Sequence, residues 1–278
     1  MVDNAKQDSG YSVLMSVYWR EKAEYLRIAM DSMWNQTVPT DDFILVCDGP
    51  LTPELDAVIE EMERSHSQLH VVRREKNGGL GNALNVGMSH CKNELIARMD
   101  SDDISRPNRC ERQLRLFREY PAVSIVSGTV EEFSISTDTI EAKRVLPEKQ
   151  AEIIAFARNR NPFNHPCVMY KKSAVEAAGG YQDFYLLEDY YLWIRMLQKG
   201  FVGCNLKEPL LWMRAGSDMY RRRAGWQYAK SQRKLFQYMR DGKMISQGTY
   251  YTNVLTRAAA SLMPNFMRRS LFKRLLRK

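Results

Sequence analysis

The sequence predicts an α/β fold: a mostly parallel central sheet flanked by helices, followed by a basic helical C-terminal extension. Three observations predict it. Apolar runs of strand length alternate with stretches that carry a helical stripe. Acidic and glycine-rich residues collect just after those runs, where open α/β sheets bind their ligands. The charge is also split. Residues 219–278 hold 15 Lys/Arg against one acid, Asp241, a net of +14, while residues 1–218 carry −6. An acidic body, 1–218, and a basic tail, 219–278, are therefore expected to do different jobs.

Ser12 to Tyr18 is the first buried strand, and Ala23, Leu26, Met30 and Met33 mark the helix after it. Phe43 to Cys47 is the second strand. Thr52 caps the next helix with Pro53 at its first position, and Leu55, Val58, Ile59 and Met62 form its apolar face. Leu69 to Val72 is a third strand, and a glycine-rich loop leads to a helix ending near Cys91. Glu94 to Met99 is a fourth strand, a helix follows Arg106-Pro107 as far as Tyr120, and Val123 to Val126 is a fifth strand. Between Glu131 and Pro147 no period stands out. Helices are expected at 151–158, 173–178 and 188–199, with short strands at 167–170 and 201–206.

Charged residues make up 27% and hydrophobic residues 44% of the 278, as in globular proteins. No window approaches the ~18 consecutive apolar residues of a membrane-spanning helix. The first ten residues are polar, so no secretory signal is expected. Five Cys without C-x-x-C spacing point away from a disulfide framework or a zinc ribbon, and toward a reducing, cytoplasmic compartment.

Three strand ends carry chemistry-bearing residues: Ser16-Val17-Tyr18, Asp48, and Asp100-Ser101-Asp102-Asp103. A lone terminal Asp can simply be a turn residue. Three packed carboxylates repel one another, and a divalent cation removes that conflict. Asn77-Gly78-Gly79-Leu80-Gly81 is neither a Walker loop nor a dinucleotide fingerprint. It suits either backbone approach to a ligand or a tight strand-to-helix turn. Glu188-Asp189 opens a helix, where acids complement the dipole and where a carboxylate beside a pocket could take a proton from a hydroxyl. His165 fits a locally hydrogen-bonded loop histidine or a catalyst.

The tail sequence Phe266 to Lys278 places Met267, Leu271, Phe272, Leu275 and Leu276 on one half of a helical wheel, and Arg269, Lys273, Arg274 and Arg277 on the other. Such a helix suits the surface of an anionic membrane; the alternatives are packing on its own domain or contact with nucleic acid. Aromatics interleave with the basic residues, but no nucleic-acid-binding signature accompanies them.

These pieces, in this order, resemble the family 2 glycosyltransferases of the GT-A fold, a Rossmann-like architecture. The resemblance covers about residues 11 to 215. It rests on Ser16-Val17-Tyr18, Asp48-Gly49, the Asn77 to Asn85 turn, Arg98 to Asp103 and Leu187-Glu188-Asp189-Tyr190. Asn164-His165-Pro166 to Gly180-Tyr181 is similar to the acceptor side of bacterial exopolysaccharide and O-antigen members.

The resemblance implies an inverting transferase moving a hexose or N-acetylhexosamine from a UDP-sugar to a saccharide hydroxyl, with Mn²⁺ or Mg²⁺. Ser16, Gly79 and Ser101 would line the nucleotide-sugar site. Tyr18 would lie against the base, Asp48 would meet the uracil imide, and Asp100 would touch the ribose or the metal's shell. Asp102 would bind the metal, Asp189 would be the general base, and Glu188 and His165 would serve the acceptor. The chain departs from the family in two places: Cys47-Asp48 where two Asp are common, and Gly79 where some members have Arg. Phosphate charge would then fall to Lys76 or the metal. A lipid-linked acceptor would give the tail its reason, at the inner face of the cell membrane. Two rivals are a nucleotidyltransferase, which would carry a basic Gly-rich loop where Tyr18-Trp19-Arg20-Glu21 stands, and a nucleic-acid-binding protein, which leaves the acidic cluster unexplained.

Overall fold

A computed structural model describes residues 10–215 and 224–263. The tail segment 266–278, on which the amphipathic expectation fell, lies outside the described residues. The strands are β1 (Tyr11–Val17), β2 (Asp42–Cys47), β3 (Leu69–Arg73), β4 (Leu95–Asp100), β5 (Ile104–Ser105), β6 (Val123–Phe133), β7 (Ala142–Arg144), β8 (Met169–Lys171) and β9 (Val202–Arg214). They form one sheet in the order β3-β2-β1-β4-β8-β6-β9-β5, with β7 on β6.

The half that carries the first three strand ends, β3-β2-β1-β4, is parallel throughout. The other half is mixed: β8 runs antiparallel to both β4 and β6, β9 is parallel to β6, and β5 is antiparallel to β9.

Successive residues of a strand point to opposite faces, and helices cover both faces, so both sets must be apolar. Val13, Met15 and Phe43 enter one core, beneath α1 (Ala23–Trp34), α2 (Pro53–Ser65) and α4 (Arg109–Glu119). Leu14, Ile44 and Val46 enter the other, beneath α3 (Leu80–His90) and α7 (Glu188–Gln198). The expected stripe of α2 is the buried one, and Thr52 Oγ1 accepts from Leu55 N at 3.4 Å.

Helix α3 lies close on the sheet because of Gly87. A Cβ there would stand 2.4 Å from Leu14 Cδ1 and 2.7 Å from Val46 Cγ2. Gly87→Val should therefore destabilise the fold by about 1–3 kcal/mol, read as a lower urea midpoint. An unchanged midpoint would mean that α3 can stand off the sheet.

Strands β6 and β9 run well past the expected 123–126 and 201–206. Their extensions carry polar residues that look like loop, yet Glu131 is buried and ion-paired to Arg106 and Lys143. Lys143 belongs to β7, in the stretch where no period was legible.

The buried Arg109 of α4 also lay outside the expectations. It donates to the carbonyls of Arg98 (2.6 Å), Pro166 (3.2 Å) and Val168 (3.2 Å), clamping the 164–168 loop against β4. That loop, with a 3-10 turn at His165–Cys167, follows α5 (Gln150–Ala157) and precedes α6 (Lys172–Ala177).

Helices α8 (Trp226–Asp241) and α9 (Gln247–Leu262) pack together. They bury Leu235, Phe236, Met239 and Tyr250 in the same core as α3 and α7. The five cysteines are free. No helix among the described residues is long and apolar enough to cross a membrane.

Candidate active site

The carboxyl ends of β1, β2 and β4 open into a cavity of about 1580 Å³. Ser16, Tyr18, Asp48, Gly79, Asp100, Ser101, Asp102, His165, Glu188 and Asp189 all line it. Parallel strands end at one edge, which is why residues far apart in sequence meet there.

Asp48, at the end of β2, is buried and already occupied. Its carboxylate accepts from Gly78 N (3.0 Å) and Gly79 N (3.0 Å) and pairs with Arg74. It thus pins the glycine-rich turn. Gly79 starts α3 at φ +84°, with open space where a Cβ would stand, so the chain turns there and leaves room on the cavity side. Lys76, expected near phosphate, is exposed and is not among the cavity-lining residues. Arg98 and Arg214 are.

At the end of β4, ligand atoms of Asp100, Asp102 and Asp103 lie within 4.8 Å of one another. Burial, then Asp100 and Glu21, push Asp102 up to about 7. Burial, then Asp102 and Asp100, push Asp103 well above the carboxylate range. One Asp103 oxygen accepts from Arg214 N at 2.7 Å, and the other is buried with no hydrogen-bond partner. Crowded carboxylates and an orphaned buried oxygen fit a divalent cation, which would hold them ionised.

Asp103 was read as part of the acidic cluster without a role of its own, and Glu21 was given none. Glu21 Oε2 accepts from Ser101 Oγ at 2.9 Å, joining β4 to the loop after β1. Arg98 had one signal, a cation inside an apolar run. It is 1% exposed, paired to Asp100, with Nε and Nη1 unpartnered.

On the same cavity, α7 begins with Glu188 and Asp189. The backbone turns sharply just before them, with Leu186 at φ +58°, a conformation costly for leucine. Asp189 Oδ2 accepts from Asn161 Nδ2 and Oδ1 from Tyr190 N, both at 2.6 Å. No sequence signal marks Asn161, which comes from the loop after α5. Burial, then Asp189, push Glu188 up to about 7, so it can carry a proton near neutrality. His165 Nε2 hydrogen-bonds Tyr181 Oη at 2.9 Å, and burial, then Arg98, push its pKa well down. It is a neutral imidazole with a local partner.

The sequence pattern of glycosyl transferase family 2 matches residues 12–179. The chain belongs to this family. The glycosyltransferase is 40% identical over 256 residues to the amylovoran biosynthesis glycosyltransferase AmsE of Erwinia amylovora, covering 91% of this chain and 94% of that one. It is 36% identical over 268 residues to the Escherichia coli UDP-Gal:α-D-GlcNAc-diphosphoundecaprenol β-1,3-galactosyltransferase, covering 96% and 97%. Among solved structures, the mannosyltransferase PcManGT of Pyrobaculum calidifontis, in complex with GDP-Man and Mn²⁺, superposes with a TM-score of 0.64 at 15% identity, covering 90% and 69%. The glycosyltransferase therefore has the GT-A fold.

Proposed function

We propose that this glycosyltransferase transfers a hexose or N-acetylhexosamine from a UDP-sugar to a hydroxyl of a lipid-linked saccharide, with inversion, in bacterial surface polysaccharide synthesis. The observation that carries the reading is that Asp189, in the first turn of α7, and the Asp100–Asp103 cluster, at the end of β4, line one cavity. The two relatives add polysaccharide synthesis and a UDP-sugar with a lipid diphosphate acceptor.

Tyr18 lies against the base. Asp48 holds the glycine-rich turn open beside the nucleotide and offers its remaining lone pairs to the uracil imide. Asp102 and Asp103 would hold Mn²⁺ or Mg²⁺, with Asp100 between that site and the ribose. Held by these carboxylates, the cation would supply positive charge to offset that developing on the departing diphosphate. Asn161 fixes the Asp189 carboxylate, which removes the acceptor hydroxyl's proton as the oxygen attacks the anomeric carbon. UDP leaves from the opposite face, so the configuration inverts.

The basic tail, residues 219–278, is the membrane-associating part in this reading. Three observations support it. Lys230, Arg233 and Lys234 are exposed on α8. Trp226 (67% exposed), Tyr251 (54%), Leu255 (68%) and Leu262 (45%) present apolar surface on the same helix pair. Arg257 is the sole charged residue of α9. A basic face beside an apolar stripe suits an anionic lipid interface better than nucleic acid.

The test is UDP release from a panel of UDP-sugars with Mn²⁺, with and without lipid-linked acceptor. Acceptor-stimulated release from one donor is expected; no release from any would overturn the reading. Removing residues 266–278 should release the protein from phosphatidylglycerol-containing vesicles while transfer to a soluble acceptor persists. Unchanged vesicle binding would take that segment out of the membrane contact.

A further inference from the structure

On the Asp189 side of the cavity, three arginines surround the loop that carries Asn161. Arg257 of α9 donates to Asn159 O at 2.7 Å, and Arg144 of β7 donates to Asn161 O at 3.4 Å. Arg160 lies between those two loop positions. All three side chains belong to residues that line the cavity. Arg160 is exposed at the rim, its guanidinium 6.0 Å from the Phe156 ring centroid.

Among the described residues no carboxylate pairs with Arg160 or Arg257. The charge that acts on Arg160 is that of Arg257, of like sign; burial and this repulsion hold its pKa below the usual arginine value. Arg257 holds the carbonyl of the residue before Arg160, so two guanidinium groups flank one short stretch of the cavity lining with no carboxylate of the described residues paired to either, and they repel each other. An entering diphosphate would remove the repulsion and accept several charge-assisted hydrogen bonds.

We propose that Arg160 and Arg257 form a subsite for the diphosphate of the acceptor, distinct from the donor's diphosphate at the Asp100–Asp103 cluster. This rests on the glycosyltransferase reading and narrows it. Asn161 holds Asp189, and the adjacent residue Arg160 holds the anion, so the accepting hydroxyl and the diphosphate are separated by little more than one sugar ring. The sugar that receives the new bond is then the one attached directly to the lipid diphosphate. Arg257 reaches the cavity from α9, whose outer side carries Tyr251, Leu255 and Leu262, so the lipid leaves the site beside the apolar stripe.

The test uses the full chain with saturating UDP and Mg²⁺, so that the donor site is filled, and calorimetric titration with geranyl diphosphate and with geraniol. Wild type should bind the diphosphate and prefer it strongly over the alcohol. Arg160→Gln should weaken diphosphate binding roughly tenfold or more, the scale of a lost charge-assisted contact. Arg160→Lys should retain most of the affinity. The UDP affinity, titrated separately, should move by less than about twofold, well below that scale. Arg160 is exposed, so Arg160→Gln is expected to fold; Arg257→Gln, which also loses the Asn159 contact, is the second variant. The proposal is overturned if wild type does not distinguish diphosphate from alcohol, if Arg160→Gln binds like wild type, or if the loss falls on UDP instead. Failure of wild type to bind UDP would strike the glycosyltransferase reading itself, a result separate from these.

Discussion

Asp189→Asn is expected to bind UDP-sugar almost as wild type does and to lose 10²–10⁴-fold in turnover, the usual contribution of a general base. The amide is isosteric with the carboxylate, and its oxygen can still accept from Asn161 Nδ2 while the bond from Tyr190 N is given up, so the side chain keeps its anchor and loses its basicity. In the proposed reading the donor is bound by residues at the ends of β1, β2 and β4, so its binding should be spared. Calorimetric titration of UDP-sugar beside steady-state kcat measures both halves. Transfer near the wild-type rate would remove Asp189 from the proton-transfer role, and Glu188 would be the next candidate. Glu188 is pushed up to about 7, so it is partly protonated near neutrality and less available as a base.

Asp102→Ala is expected to abolish metal-dependent binding of UDP. The cluster would keep Asp103, one oxygen of which already accepts from Arg214 N, and Asp100, which is paired to Arg98. With Asp102 gone, the proposed site keeps only Asp100 and the bare oxygen of Asp103 as carboxylate ligands. The metal-free protein should not suffer. One of three mutually repelling carboxylates is gone, so its melting temperature should hold or rise. The two readouts separate a lost site from a lost fold. Activity that survives both Asp102→Ala and excess chelator would count against a cation at this position.

How much of this was legible in the sequence depends on the range of the interaction. The period of apolar residues marked β1, α2 and β4, because each hides one face or both against neighbours that any α/β protein supplies. The strand ends then named Tyr18, Asp48 and Asp100 to Asp103 as cavity residues, since parallel strands must finish at one edge. The same logic failed for β6 and β9. Glu131 reads as loop until Arg106 and Lys143, from two other segments, are seen to neutralise it. Lys76 failed for the opposite reason: a basic residue near a glycine turn looks apt for phosphate, but Asp48 fixes the turn and Lys76 stays off the cavity wall.

By itself the sequence determined the alternation of elements, the acidic cluster, the Glu188-Asp189 pair and the basic character of the last sixty residues. These are local facts, written in spacing and residue type. Only the tertiary structure decided that Asn161 would orient Asp189, that Asp103 would keep a buried oxygen without a hydrogen-bond partner, and that Arg160 and Arg257 would line one cavity. Asn161 and Asp189 are 28 positions apart, and Arg160 and Arg257 farther still. Polar side chains choose partners by distance and burial in space, and no periodicity along the chain records that choice.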